Sequence, residues 1–200
     1  DNSNTSTITI TVAAVNDGPL SRDEGIVTNE DVSVRTGFSS SDIEGDDITN
    51  YEIVSQPDNG LVTIDMNSNE PGLYTPNDNF NGTDTFTYRA SDGTDWGNTA
   101  TATVTISAVN DLPTTSDVSS STNEDTAKAI TLTGADVDSG DSLTYSIVST
   151  NNGSVSVSGS TATYTPTTNY NGTDTFTYKA NDGTGDSNTS TVTVTVAAVN

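Results

Sequence analysis

Cysteine and histidine are both missing from the 200 residues. Without them the chain has no thiol or imidazole nucleophile system and no ordinary zinc site. The lack of cysteine also removes disulfide staples, which leaves an intracellular chain or a chain stapled by something else, usually a metal. Positive charge is scarce, with five Lys and Arg against 28 Asp and Glu and a formal net charge of -23. Such a surface repels phosphate backbones and anionic lipid, so nucleic acid and ordinary membrane surfaces are poor partners, and neither nucleic-acid binding nor direct membrane insertion is expected. Aromatic residues are only 6% of the chain, too few to line a catalytic cleft beside a carboxylate pair. With 28 carboxylates, a pair at glycosidase separation arises by chance. No stretch is apolar enough to span a bilayer, no signal peptide is visible and no glycine-rich phosphate loop occurs. The absences point away from an enzyme.

What remains is mostly Thr, Ser, Asn and Gly, since only 16% of residues are charged. Threonine is β-branched and suits a half-buried pleated surface. Thr7-Ile8-Thr9-Ile10-Thr11-Val12 alternates strictly, the pattern of a strand with one buried face.

Internal repetition sets the architecture. Asn81 to Tyr88 recurs letter for letter as Asn171 to Tyr178, an offset of 171 − 81 = 90. Thr28-Asn29-Glu30-Asp31 returns as Thr122 to Asp125, and Val15-Asn16-Asp17-Gly18-Pro19 is echoed by Val109-Asn110-Asp111-Leu112-Pro113. Ser3 to Asn16 returns as Ser187 to Asn200 with only Ile-to-Val changes. Residues 1–15 therefore read as the closing strand of a preceding repeat, 16–109 as repeat 1, and 110–200 as repeat 2 plus the start of the next linker. On this reading the parent protein is longer.

In repeat 2 the strand signals fall at 126–134, 143–149, 154–157, 161–165, 173–180 and 189–198, with an irregular leading strand before Glu124. Parity buries Leu143, Tyr145 and Ile147; Phe176, Tyr178 and Ala180; Val192, Val194, Val196 and Ala198. The counterparts in repeat 1 are Tyr51 and Ile53; Phe86, Tyr88 and Ala90; Ala102, Val104, Ile106 and Ala108. Asn59-Gly60 and Asn152-Gly153 are expected to supply the positive φ angles of tight hairpins. About seven strands in about ninety residues make an all-β, immunoglobulin-like sandwich. Neither sandwich has a vacancy for the first strand, so that strand is expected to lie outside repeat 1, against another molecule or in a third sandwich.

Asp-x-Asp-type loops, Asp42 to Glu44 and Asp136 to Asp138, are each followed by a glycine. Calcium takes six to eight oxygens from such flexible loops, although Asp and Gly also form ordinary turns by hydrogen-bonding their own backbone. The sandwich topology gathers these loops, the Ala-x-Asp-Gly turns and the linkers at one end. Carboxylates crowded there repel one another unless a cation neutralises them, which favours calcium. Trp96, the single tryptophan, has two open readings: a stacking platform for a sugar ring or a cover over the sandwich edge.

The Asn-Gly-Thr-Asp-Thr-Phe-Thr-Tyr strand, the Ala-x-Asp-Gly turn and the Val-Asn-Asp-x-Pro linker resemble the cadherin-like tandem repeats of very large bacterial surface and secreted proteins, adhesins among them. The resemblance covers nearly the whole chain. It implies seven-stranded Greek-key sandwiches strung end to end, an extracellular or cell-surface location, and calcium at the junctions. Carried over, the junction between repeats 1 and 2 would use Glu30 and Asp84 from repeat 1, Asn110 and Asp111 from the linker, and Asp136, Asp138 and Asp182 from repeat 2. The equivalent set for repeat 1 is Asn16, Asp17, Asp42, Glu44 and Asp92. Where the cadherin linker has an acidic residue two positions before its Asn, this chain has Ala108 and Ala14, which implies fewer or weaker ions. The main expectation is a calcium-stiffened stalk or fibre region whose partners are neighbouring repeats, further copies or surface glycans. The alternative is a calcium-dependent carbohydrate-binding module using Trp96.

Overall fold

The structure is a computed structural model that describes residues 6–13, 15–140 and 142–200. It divides into two compact units, 1–109 and 110–200, and no α-helix occurs among the described residues.

Unit 1 contains β1 (Leu20–Ser21), β2 (Glu24–Asn29), β3 (Val34–Thr36), β4 (Ser40–Ser41) and β5 (Asn50–Ser55). They are followed by β6 (Gly60–Ile64), β7 (Gly72–Pro76), β8 (Gly82–Ser91) and β9 (Ala100–Ser107). One sheet has the order β2-β9-β8-β5, the other β3-β7-β6, and β1 pairs with β4 alone. The two larger sheets hold four and three strands. The β1–β4 pair is additional.

Unit 2 repeats this plan. Its strands are β10 (Thr114–Thr115), β11 (Val118–Asn123), β12 (Lys128–Thr131), β13 (Gly134–Ala135) and β14 (Thr144–Thr150). Then come β15 (Gly153–Ser158), β16 (Thr161–Pro166), β17 (Gly172–Asn181) and β18 (Ser190–Ala197). The sheets are β11-β18-β17-β14 and β12-β16-β15, with β10 on β13. In both units the leading strand runs parallel to the closing strand, β2 on β9 and β11 on β18.

Strict alternation explains the core. Phe86, Tyr88 and Ala90 point inward from β8, and Ala102, Val104 and Ile106 from β9, all buried. Phe176, Tyr178, Val192, Val194 and Val196 repeat the arrangement in unit 2. The second sheet supplies Val62 and Tyr74 in unit 1, and Ile130, Ala162 and Tyr164 in unit 2. Across the layers Tyr74 stacks on Phe86 and Tyr164 on Phe176, both at 11° between planes. Burying one such side chain contributes about 1.5–3 kcal/mol. Ala108 and Ala198, expected inside, are exposed because they follow the ends of β9 and β18.

The Asn-Gly steps are not hairpin turns. Asn59-Gly60 links β5 to β6, which lie in different sheets, and Asn152-Gly153 links β14 to β15 in the same way. None of these four residues has positive φ. The glycine is required by close approach: a Cβ on Gly60 would stand 2.7 Å from the Thr75 carbonyl and 2.8 Å from the Tyr74 ring, and Gly153 meets Thr165 and Tyr164 likewise.

Residues 6–13 form no strand, and Ile8, Ile10 and Val12 are 86%, 81% and 86% exposed. A strand needs a neighbour, and β9 already occupies the closing position of unit 1. Residues 3–5 and Ala14 of this segment lie outside the described residues.

Candidate metal centre

In unit 2, the sheet ends place three segments bearing oxygen ligands together. Asp136 turns its loop through the Asp138 amide, which donates to Asp136 Oδ1 at 3.0 Å. Asp138 Oδ2 then accepts the Asp111 amide at 2.8 Å. The neighbouring Asn110 Nδ2 donates to Asp182 Oδ2 at 3.0 Å. Asp182 Oδ1 closes the turn after β17, accepting the Thr184 and Gly185 amides at 2.6 Å each, with Gly183 at φ 103°. The Gly185 amide, the Asn110 side chain and the Thr184 amide hold the Asp182 carboxyl below its ordinary 3.8.

Unit 1 builds the same corner with different details. Asn16 Nδ2 donates to Asp92 Oδ2 at 2.9 Å and also to Asp95 Oδ2 at 3.0 Å. The Asp95 amide, the Asn16 side chain and the Thr94 amide hold Asp92 below 3.8. Asp42 Oδ1 gathers the amides of Glu44, Gly45 and Asp46. Asp17 and Asp42 line one cavity of about 520 Å³ together with Leu20, Arg22 and Ile43. The Glu44 side chain is exposed.

The two units share one unusual feature. Asp42 Oδ2 and Asp136 Oδ2 are buried oxygens with no hydrogen-bond partner. A buried carboxylate oxygen left without a donor costs about 1–3 kcal/mol or more. The surrounding donor sets are all oxygen, with no sulfur or imidazole, and this is the chemistry of a hard divalent cation. The residues present therefore fit calcium.

Two other expected ligands, Glu30 and Asp84, are held by hydrogen bonds within unit 1. Glu30 is buried and accepts the Val109 amide and, on Oε2, Asn81 Nδ2 at 3.2 Å, so it fastens the chain leaving unit 1. Asp84 belongs to the interior, not to a ligand group. Its Oδ1 takes the Asp58 and Thr85 amides, and its Oδ2 takes the Asn59 amide and the Tyr74 hydroxyl at 3.0 Å. These four donors saturate it. Asp174 does the same in unit 2 with Asn152, Thr175 and Tyr164.

Trp96 is 41% exposed, and the Arg89 guanidinium lies 4.8 Å above its ring, a cation–π contact. Glu52 anchors the same guanidinium, accepting from Arg89 Nε at 2.6 Å. In unit 2 the corresponding cation is Lys179, which faces Asp186 Oδ2 at 3.8 Å. Trp96 and Asp186 thus do one job, partnering the cation at the end of β8 or β17. One face of the indole is occupied by that cation.

Sequence reasoning missed Asp95, Asn98 and Asn188. The last two precede the closing strands, where Asn188 donates from Nδ2 to the Thr115 carbonyl and accepts the Thr115 amide. The recurring Asn-Thr before each closing strand was the available signal.

Among solved structures, a mouse cadherin-23 fragment, EC22-24, matches with a TM-score of 0.56 at 20% identity, over 92% of this chain and 65% of that one. Human CDH23 EC21-23 matches with a TM-score of 0.55 at 17% identity, over 88% and 67%. At such identities the likeness concerns the fold alone. An endo-fucoidan hydrolase from glycoside hydrolase family 107 aligns over 92% of this chain with a TM-score of 0.39 and 20% identity, and this chain spans 29% of its length. No curated protein matches in sequence. The family pattern of the bacterial Ig domain matches residues 16–107 and again 110–195. The chain belongs to the bacterial Ig domain family and carries two copies in tandem.

Proposed function

We propose that this chain is a calcium-stiffened structural region, a stalk or fibre segment of a large extracellular or cell-surface protein of the adhesin type. The observation that carries the reading is the buried, partnerless oxygen at Asp42 and again at Asp136. A fold that repeats such a cost in both copies is accounted for if a cation supplies the missing partner. Calcium suits a loop-borne, all-oxygen site, whereas magnesium demands near-ideal octahedral geometry and dehydrates reluctantly.

The ligands of the first repeat are Asp42 and Asp17 with Asn16 and Asp92; those of the second are Asp136, Asp138 and Asp111 with Asn110 and Asp182. Asp111 stands two residues after Val109, whose amide Glu30 holds. An ion on Asp111, Asp136 and Asp138 would therefore restrain the segment through which one repeat leads into the next. Kd is expected on the order of 10⁻⁴ to 10⁻³ M, as in extracellular modules. The near-identity of residues 3–16 with 187–200 supports further repeats in the parent protein.

Calorimetric titration of the EDTA-treated chain with calcium tests this. Saturable heat that diminishes in Asp136→Asn is the expected result. Identical traces for the two proteins would remove Asp136 from the site.

A further inference from the structure

In each unit the side chains add a second set of ties to the parallel strand pair. At the start of unit 1, the Asn98 amide grips the backbone of Ser21 from both sides: Oδ1 accepts the Ser21 amide at 2.9 Å and Nδ2 donates to the Ser21 carbonyl at 2.9 Å. Next, Asp23 Oδ1 accepts the Thr101 amide at 2.7 Å. Six registered pairs follow, Glu24 on Ala102 through Asn29 on Ser107. The Glu30 amide then donates to the Ser107 carbonyl at 3.0 Å, and the Glu30 carboxylate accepts the Val109 amide.

Unit 2 reproduces every tie. Asn188 grips Thr115 at 2.9 and 3.0 Å, and Asp117 accepts the Thr191 amide at 2.7 Å. Val118 on Val192 through Asn123 on Ala197 make the ladder. The Glu124 amide reaches Ala197, and its carboxylate accepts the Val199 amide at 2.7 Å. The fastened line runs from the point where the chain enters each unit to the point where it leaves.

We propose that the side-chain ties at the two ends of this ladder, from Asn98, Asp23 and Glu30 in unit 1 and from Asn188, Asp117 and Glu124 in unit 2, are a mechanical clasp, which makes each unit resist unfolding when it is pulled through its two ends. Because the two strands are parallel, the incoming chain meets the ladder at one end and the outgoing chain departs from the other. Tension slides one strand along its neighbour, so all the ties are strained together. An antiparallel terminal pair would present both ends at the same place, and its bonds would open one after another. The side-chain ties extend the sheared line past both ends of the ladder, where peeling would begin. The inference rests on the reading of the chain as a stalk segment pulled end to end, but the ties contain no ion.

Force-clamp unfolding of the 200-residue chain, pulled through its termini, tests the proposal, since every molecule gives two unfolding steps. Forced unfolding is governed by the barrier rather than by equilibrium stability. Asn188→Ala should shorten the lifetime of one step about tenfold, the effect of losing about one net hydrogen bond from the barrier. The other step should be unchanged, and Asn98→Ala should produce the mirror result. Ile130→Val, in the sheet that holds neither end of unit 2, serves as the comparison and should shorten that lifetime far less per degree of melting temperature lost. Should Asn188→Ala fail to fold, Asp117→Ala, which removes the acceptor of the Thr191 amide, replaces it. Equal shortening per degree in the clasp and comparison variants would overturn the clasp. The measurement is run in EDTA as well as in calcium: an effect present in both supports the clasp whatever the outcome for the metal.

Discussion

Tyr164 donates its hydroxyl hydrogen to Asp174 Oδ2 at 2.6 Å, and Tyr74 makes the same bond to Asp84 at 3.0 Å. Each carboxylate also gathers the backbone amides of the turn that crosses between the two sheets. The pair is a hub of the sandwich, buried, fully satisfied and repeated.

Replacing the hub acceptor by an amide leaves donors facing donors. Asp174→Asn should destabilise unit 2 by about 1–3 kcal/mol, read as a lower melting temperature. The calcium stoichiometry should stay the same, because Asp174 is an interior group. Loss of an ion in this variant would return the residue, and Asp84 with it, to the ligand set.

Burial, followed by the hydrogen bond and the charge of the adjacent aspartate, pushes the Tyr74 and Tyr164 hydroxyls well above their ordinary 10.0. Tyr88 is raised chiefly by burial. A group whose folded value is raised stabilises the fold below the unfolded value and loses that contribution as pH climbs toward the folded one. Stability should therefore be flat at neutral pH and fall above about pH 10, with tyrosinate absorbance appearing together with unfolding. Ionisation of all seven tyrosines in the still-folded chain would contradict the burial argument.

Asp136→Asn combined with Asp138→Asn should weaken calcium binding while circular dichroism stays near normal. In calcium, small-angle scattering should then show a wider spread of shapes than the parent chain. Global unfolding would instead assign these carboxylates to the fold of unit 2.

Alternation made the core legible: the parity of Phe86 and Tyr88, or of Val192, Val194 and Val196, names the buried face without further information. The same parity placed Asp84 on the inner face, two residues before Phe86. A resemblance drew it outward, whereas its own spacing pointed inward. Asn59-Gly60 was misread because two causes demand glycine, positive φ and close approach, and sequence does not separate them. The pairing of Asn16 with Asp92 and of Asn110 with Asp182 followed from loops collected at one end of a sandwich. The stranded oxygens of Asp42 and Asp136 depend on how each loop folds back, which composition does not encode. The grip of Asn98 on Ser21 joins residues 77 apart, so the recurring Asn-Thr before each closing strand marks the asparagine but not its partner.

Thermal unfolding in EDTA, in calcium and in magnesium tests the central claim most directly. Binding to the folded state alone raises stability by about 2.7 kcal/mol at a hundred times Kd, about 10 °C or more for units of this size. The expected outcome is a shift of that order in calcium, a much smaller one in magnesium, and reversal by EDTA. Superimposable melting curves in all three solutions would contradict a calcium-stiffened repeat.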